Sequence, residues 1–95
     1  MKPSNAAPDL TARPLASPGL VVRAAGNESL VHDPVTGKVH VLNAMAARIL
    51  HRCDGTTSLA EIVDELFADG AVPRERIAGD VAAVCDAFHA KGLLT

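Results

Sequence analysis

The chain has no Trp and no Tyr, and Phe67 and Phe88 alone make up its 2% of aromatic residues. Bases and flat cofactors therefore lack the side chains on which they usually stack, and single-stranded nucleic acid is not an expected ligand. Charge of one sign is also missing: nine Lys and Arg stand against eleven Asp and Glu, for a formal charge of −2. That balance supplies no attraction toward DNA, RNA or an anionic membrane. No apolar run approaches the roughly 20 residues that span a bilayer. Residues 1–8, Met-Lys-Pro-Ser-Asn-Ala-Ala-Pro, lack the apolar centre of a secretory signal. A soluble, cytoplasmic chain without a membrane partner is expected. Cysteine is scarce too: Cys53 and Cys85 are 32 positions apart with no CxxC, which suits two reduced, buried thiols better than a disulfide framework.

What is present is aliphatic. The 95 residues are 48% hydrophobic, enough for one small domain with a core of Leu, Val, Ile and Ala. Residues 1–19 carry Pro3, Pro8, Pro14 and Pro18 among small polar residues without a period, and are expected to be a flexible tail ahead of a domain over 20–95. Leu20–Ala24, Glu28–Asp33 and Lys38–Leu42 read as strands, separated by Gly26-Asn27 and by Pro34-Val35-Thr36-Gly37. Pairing Asp33 with Lys38 puts Leu30, His32, Val39 and Val41 on one face. The other face receives Val31, Asp33, Lys38, His40 and Leu42. So short a hairpin is marginal alone, and helices must cover its apolar side.

At Leu42-Asn43 the apolar period changes from two to about 3.6. Asn43 is a cap for a first helix with Met45, Ile49, Leu50 and Cys53 inward, and Asp54-Gly55 stops it. Ser58-Leu59-Ala60-Glu61 is a capping box for a second helix with Leu59, Ile62, Val63, Leu66 and Phe67 inward. Pro73 opens a third, with Ile77, Val81, Val84, Cys85 and Phe88 on one face until Gly92. The reading is α+β: a three-stranded antiparallel sheet followed by three helices, winged-helix-like with the wing first.

Chemistry is thin. His32, His40, His51 and His89 have no i, i+4 pairing, so no metal is expected. Ser58 and Glu61 are explained by the capping box, Asp64 and Glu65 lie on a solvent face, and no Gly-rich loop cradles a phosphate. Neither a cofactor nor an enzymatic activity is called for. A winged-helix DNA-binding regulator is the alternative. Against it, the third helix mixes Arg74, Arg76 and Lys91 with Glu75, Asp80 and Asp86, and the second carries Glu61, Asp64 and Glu65 without a Lys or Arg.

Two surface features remain. In a sheet ordered 1-2-3 the strand Lys38–Leu42 has an open side with one charge and no proline, whereas exposed edges are usually blunted. Beside the core stripe of the third helix lie Ala78 and Ala82 on one flank, and Gly79, Ala83 and Ala87 on the other. Gly79 costs about 1 kcal/mol relative to Ala inside a helix, and a close approach by something is one reason to keep it. Ordinary packing of an Ala-rich helix is the other.

The segments Leu42-Asn43, Ala47-Arg48-Ile49-Leu50, Cys53-Asp54-Gly55-Thr56, Leu59-Ala60-Glu61-Ile62-Val63 and Gly92-Leu93-Leu94 resemble the PqqD family, over roughly Leu20 to Leu94. The resemblance implies a precursor-peptide recognition element. Such elements bind the leader of a ribosomally made peptide and present it to a modifying enzyme, often a radical S-adenosylmethionine enzyme. In the family the leader adds as a strand to the third strand and packs on the third helix. That implies a peptide site of Lys38, Val39, His40, Val41 and Leu42 with Ile77, Ala78, Val81, Val84 and Cys85; Arg74 or Arg76 is then available to pair with an acidic leader residue. The segment Leu42-Asn43-Ala44-Met45 departs from the Leu-Ala-Pro-Glu type of quinone-cofactor members and looks like the broader PqqD-like group, so the pathway stays open between quinone cofactor, lasso and sactipeptide-like products.

Overall fold

A computed structural model describes residues 9–68, 70 and 72–95. Three strands precede three helices: β1 (Val21–Ala25), β2 (Glu28–His32), β3 (Val39–Leu42), α1 (Ala44–His51), α2 (Leu59–Phe67) and α3 (Arg74–Ala90). The sheet is antiparallel in the order β1-β2-β3. The fold is thus the α+β, wing-first arrangement that the sequence implies.

The β2–β3 turn closes as the residues demand. Asp33 N–H donates to the Lys38 carbonyl at 2.9 Å and Gly37 N–H to the Asp33 carbonyl at 2.8 Å. Gly37 takes φ +77°, which a side chain would resist. The Asp33 carboxylate is buried but accepts the Val35 N–H at 2.9 Å, so its burial leaves a satisfied acceptor. In register, His32 faces Val39, Val31 faces His40 and Leu30 faces Val41. The helices cover the face of Val31, Asp33, His40 and Leu42, and leave Leu30, Val39 and Val41 exposed. The apolar count along the hairpin favours the opposite choice. The junction decides it: Asn43 caps α1 directly after Leu42, so Leu42 must enter the core with Ile49 and Leu50.

The expectation of a flexible tail fails for residues 9–19; residues 1–8 lie outside those described. This stretch crosses the molecule as a strap held by its main chain. Ala16 N–H donates to the Cys53 carbonyl, Ser17 N–H to Leu93, Gly55 N–H to Pro14, Leu59 N–H to Ala12, Ala60 N–H to Leu10 and Thr95 N–H to Leu15, all at 2.8–3.0 Å. Leu10 and Ala16 pack against the core. Proline favours the extended backbone that such pairing needs, and its carbonyl still accepts. Gly55, at φ +82°, lets the strap come close: a Cβ there would sit 3.2 Å from Leu15 Cδ1.

The strap also completes the start of α2. A helix begins with four N–H groups lacking intrahelical partners. Here Leu59 and Ala60 donate to strap carbonyls and Glu61 N–H to Ser58 Oγ at 3.2 Å, while Ile62 N–H makes the first helical bond, to the Ser58 carbonyl at 3.1 Å. Glu61 Oε1 accepts the Ser58 N–H at 2.8 Å, so the capping box forms as expected. Asn43 caps α1 through the Ala46 N–H at 2.8 Å.

Between α1 and α2, the Asp54 carboxylate accepts four bonds, from the N–H and hydroxyl groups of Thr56 and Thr57. Those bonds, led by the Thr56 and Thr57 backbone, lower its pKa from 3.8 to about 2. A depressed folded-state pKa contributes stability above the unfolded value that is lost as pH falls toward the folded one. Stability is therefore expected to drop between about pH 4 and pH 2, and Asp54→Asn to flatten that slope in acid-denaturation curves. An unchanged slope would show that the loop carboxylate is not ionised through these bonds.

Gly79 lies on α3 opposite the core stripe, exposed, and a Cβ added to it would meet nothing within 4 Å. No described part of the chain approaches it, so the close-packing reason for a glycine does not apply within the folded chain. Gly79→Ala is expected to stabilise by about 1 kcal/mol, raising the thermal midpoint by roughly 4–8 °C in calorimetry. A lower midpoint would contradict this open setting.

Candidate functional site

β3 ends the sheet, with β2 on one side and none of the described strands on the other. Its hydrogen-bond phase follows from the turn. Asp33 and Lys38 form a bonded pair, so bonded pairs recur at Val31–His40 and Ser29–Leu42. The N–H and C=O groups of Val39 and Val41 then point to the open edge. The side chains of Val39 and Val41 are 58% and 55% exposed on the outer face, beside Leu30 at 37% and Val21 at 46%. This is an apolar acceptor edge with the exposed Lys38 at its start and Arg23 beyond Leu30 on the same face. Leu30 and Val21 were absent from the expected site, although the Asp33–Lys38 register already aligned Leu30 with Val39 and Val41.

The two halves of the expected site differ in access. Leu42 of β3 is buried and shares one core with Ile77, Ala78, Val81 and Cys85 of α3, all of which are buried as well. Val84 is the partly buried member at the stripe's margin. At 100° per residue, Ala78, Ala82 and Cys85 lie on one flank of that stripe, and Val84, Ala87 and Asp80 on the other. The first flank faces the strap: a cavity of about 450 Å³ there is walled by Ala82, Cys85 and His89 of α3 and by Arg13, Pro14 and Leu15 of the strap. A helix stripe pattern reports which residues turn inward, but not which of them are sealed.

Cys85 also meets Cys53. The neighbouring Cys85 thiol, reinforced by burial, pushes Cys53 up, and the proximity of Cys53 pulls Cys85 down. The Cys53 S–H donates to the Ile49 carbonyl at 3.2 Å. Both cysteines are free and buried, as their scarcity implied.

Two of the arginines are held in ion pairs with α2. Arg74 donates through Nε and Nη2 to Asp64 Oδ1 at 2.9 and 2.8 Å, and Arg52 pairs with Glu65. Both pairs tie a neighbouring segment to the acidic side of α2. Arg76 is exposed on α3. His40 projects inward from β3, half-buried; its Nε2 is the buried side-chain nitrogen that lacks a hydrogen-bond partner among the described residues. No group of three or more His, Cys, Asp or Glu side chains among the described residues is placed to hold a metal, and none of their helices is long and apolar enough to cross a membrane.

Residues 28–94 match the family model described as coenzyme PQQ synthesis protein D (PqqD). The chain is 33% identical over 84 residues to the PqqA binding protein of Gluconobacter oxydans (strain 621H), covering 80% of this chain and 88% of that one. It is 39% identical over 51 residues to the PqqA binding protein of Bradyrhizobium diazoefficiens, covering 54% and 50%. Among solved structures it resembles TbiB1 in complex with the TbiA(beta) leader peptide, with a TM-score of 0.75 at 26% identity over 84% of this chain and 93% of that one. Lasso peptide synthetase B1 complexed with the leader peptide shares the fold, with a TM-score of 0.78 at 24% identity over 88% and 99%.

Proposed function

The chain belongs to the PqqD family, and from that premise we propose that it is a non-catalytic, cytoplasmic module that captures the leader of a ribosomally synthesised precursor peptide and presents it to a maturation enzyme, such as a radical S-adenosylmethionine enzyme. The observation that carries this reading is the unblunted β3 edge, where Val39 and Val41 direct their backbone groups outward. An extended peptide satisfies those groups by adding a fourth strand. Relatives that are PqqA binding proteins, and a fold shared with two leader-peptide complexes, support the same reading.

Register in such a complex comes from backbone bonds and specificity from alternate side chains. Outward residues of the leader lie beside Val39 and Val41. Inward ones enter between His40 and the Val84 flank of α3, since the strap lies across from the Cys85 flank. Ile77, Ala78, Val81 and Cys85 act from beneath, as the packed floor that fixes α3. Arg74 is committed to Asp64, so Arg76 takes the role of pairing with an acidic leader residue.

The test is calorimetric titration of the chain with the PqqA peptide and with the TbiA(beta) leader, each against its scrambled sequence. Saturable binding of an ordered sequence over its scrambled control is expected. Indistinguishable heats for ordered and scrambled peptides would defeat the reading.

A further inference from the structure

We infer that His40 is a specificity-determining residue that reads a hydroxyl-bearing side chain on the bound leader, an assignment that rests on the strand-addition reading above. A buried polar atom without a partner is uncommon in a folded protein, because its lost hydration is not replaced. His40 Nε2 is such an atom, and it sits on the acceptor strand itself. The β2 side supplies no partner for it. Directly opposite is Val31, fully buried and apolar. Neither diagonal neighbour on the same face, Ser29 nor Asp33, bonds to it, and the Asp33 carboxylate accepts the Val35 N–H instead.

Nε2 itself is sealed from solvent, and the side of β3 away from β2 is the open edge, toward which the ring has to turn. His40 directs its own N–H and C=O toward β2, so a strand added antiparallel to β3 meets it as a non-hydrogen-bonded pair. In that pairing the Cα atoms approach to about 4.5 Å and the two side chains lie close together on one face. The leader residue opposite His40 therefore projects inward beside the imidazole. Turning the ring toward it breaks no hydrogen bond at Nε2, because none is made there.

The chemistry of the partner follows from the surroundings. Val31 and Leu42 flank His40 on the inner face, which also holds the buried Asp33 carboxylate and the exposed Lys38; a second carboxylate brought there would lose its hydration against the apolar neighbours and meet the charge of Asp33. A hydroxyl costs far less to bury and both donates and accepts, so it pairs with either imidazole tautomer. Threonine suits the position best, since a β-branched side chain also favours the strand.

A display library of random 12-residue peptides, selected separately on the full-length chain and on His40→Leu, tests this. Peptides enriched on the parent chain are expected to carry Ser or Thr at one fixed position. Replacing that residue with Val or Ala should weaken binding to the parent about tenfold while leaving binding to His40→Leu unchanged. His40→Leu should also melt a few degrees higher when free, since it removes a buried unpaired nitrogen. Should His40→Leu fail to fold, His40→Gln and the imidazole nitrogen resonances of the parent replace it: the Nε2 signal must shift with hydroxyl peptides and not with their Val or Ala versions. Enriched peptides without a hydroxyl preference, or an Nε2 signal indifferent to it, overturn the assignment and leave peptide capture standing. Failure of the parent to enrich any peptide defeats capture itself, and the role of His40 with it.

Discussion

Removing residues 1–19 is expected to abolish cooperative unfolding, or to lower the thermal midpoint by about 20 °C or more. The strap contributes six main-chain hydrogen bonds. At about 1 kcal/mol each, their sum is comparable with the whole stability of a domain this size, roughly 5–15 kcal/mol. The loss is compounded because Leu59 and Ala60 would surrender the partners of their N–H groups at the head of α2. Removing residues 1–8 alone leaves every one of those bonds in place and is the internal control. Calorimetry on both truncations decides the matter: a shift of only a few degrees for the longer one would mean that the strap is dispensable.

Val41→Pro is expected to weaken leader binding about tenfold or more with little change in fold. The Val41 N–H points to the open edge, so proline costs β2–β3 pairing nothing, and edge strands tolerate it. The incoming peptide, by contrast, loses a donor and leaves a carbonyl unpaired. His40→Pro provides the contrast: its N–H belongs to β2, and that substitution should damage the free protein. Titration calorimetry with circular dichroism separates the two effects. Unchanged affinity in a folded Val41→Pro chain would remove β3 from the site.

The elements were legible because each announces itself locally. Asn43 and the Ser58–Glu61 box mark helix starts, Pro34–Gly37 marks the hairpin, and the Asp33–Lys38 pairing gives the register that the sheet adopts. The strap was not legible, because it is held by carbonyls and amides that every residue carries, so no hydrophobic period betrays it. Proline in residues 9–19 suggested disorder where it in fact favours an extended path. Which hairpin face is covered depended on the Leu42–Asn43 junction rather than on the apolar count. For the site, the strand half could be read from alternation. The helix half could not, since a stripe containing Ile77, Val81 and Cys85 looks the same whether it lines a groove or closes a core.

Whether β3 receives a peptide strand is read out by amide hydrogen exchange followed by nuclear magnetic resonance. In the free chain the amides of Val39 and Val41 point outward and should exchange far faster than that of His40, which is paired to β2. On saturation with a leader peptide, Val39 and Val41 should become protected together while His40 changes little. Binding that leaves Val39 and Val41 exchanging as before, with protection gained at α2 or at β1 instead, would contradict the account.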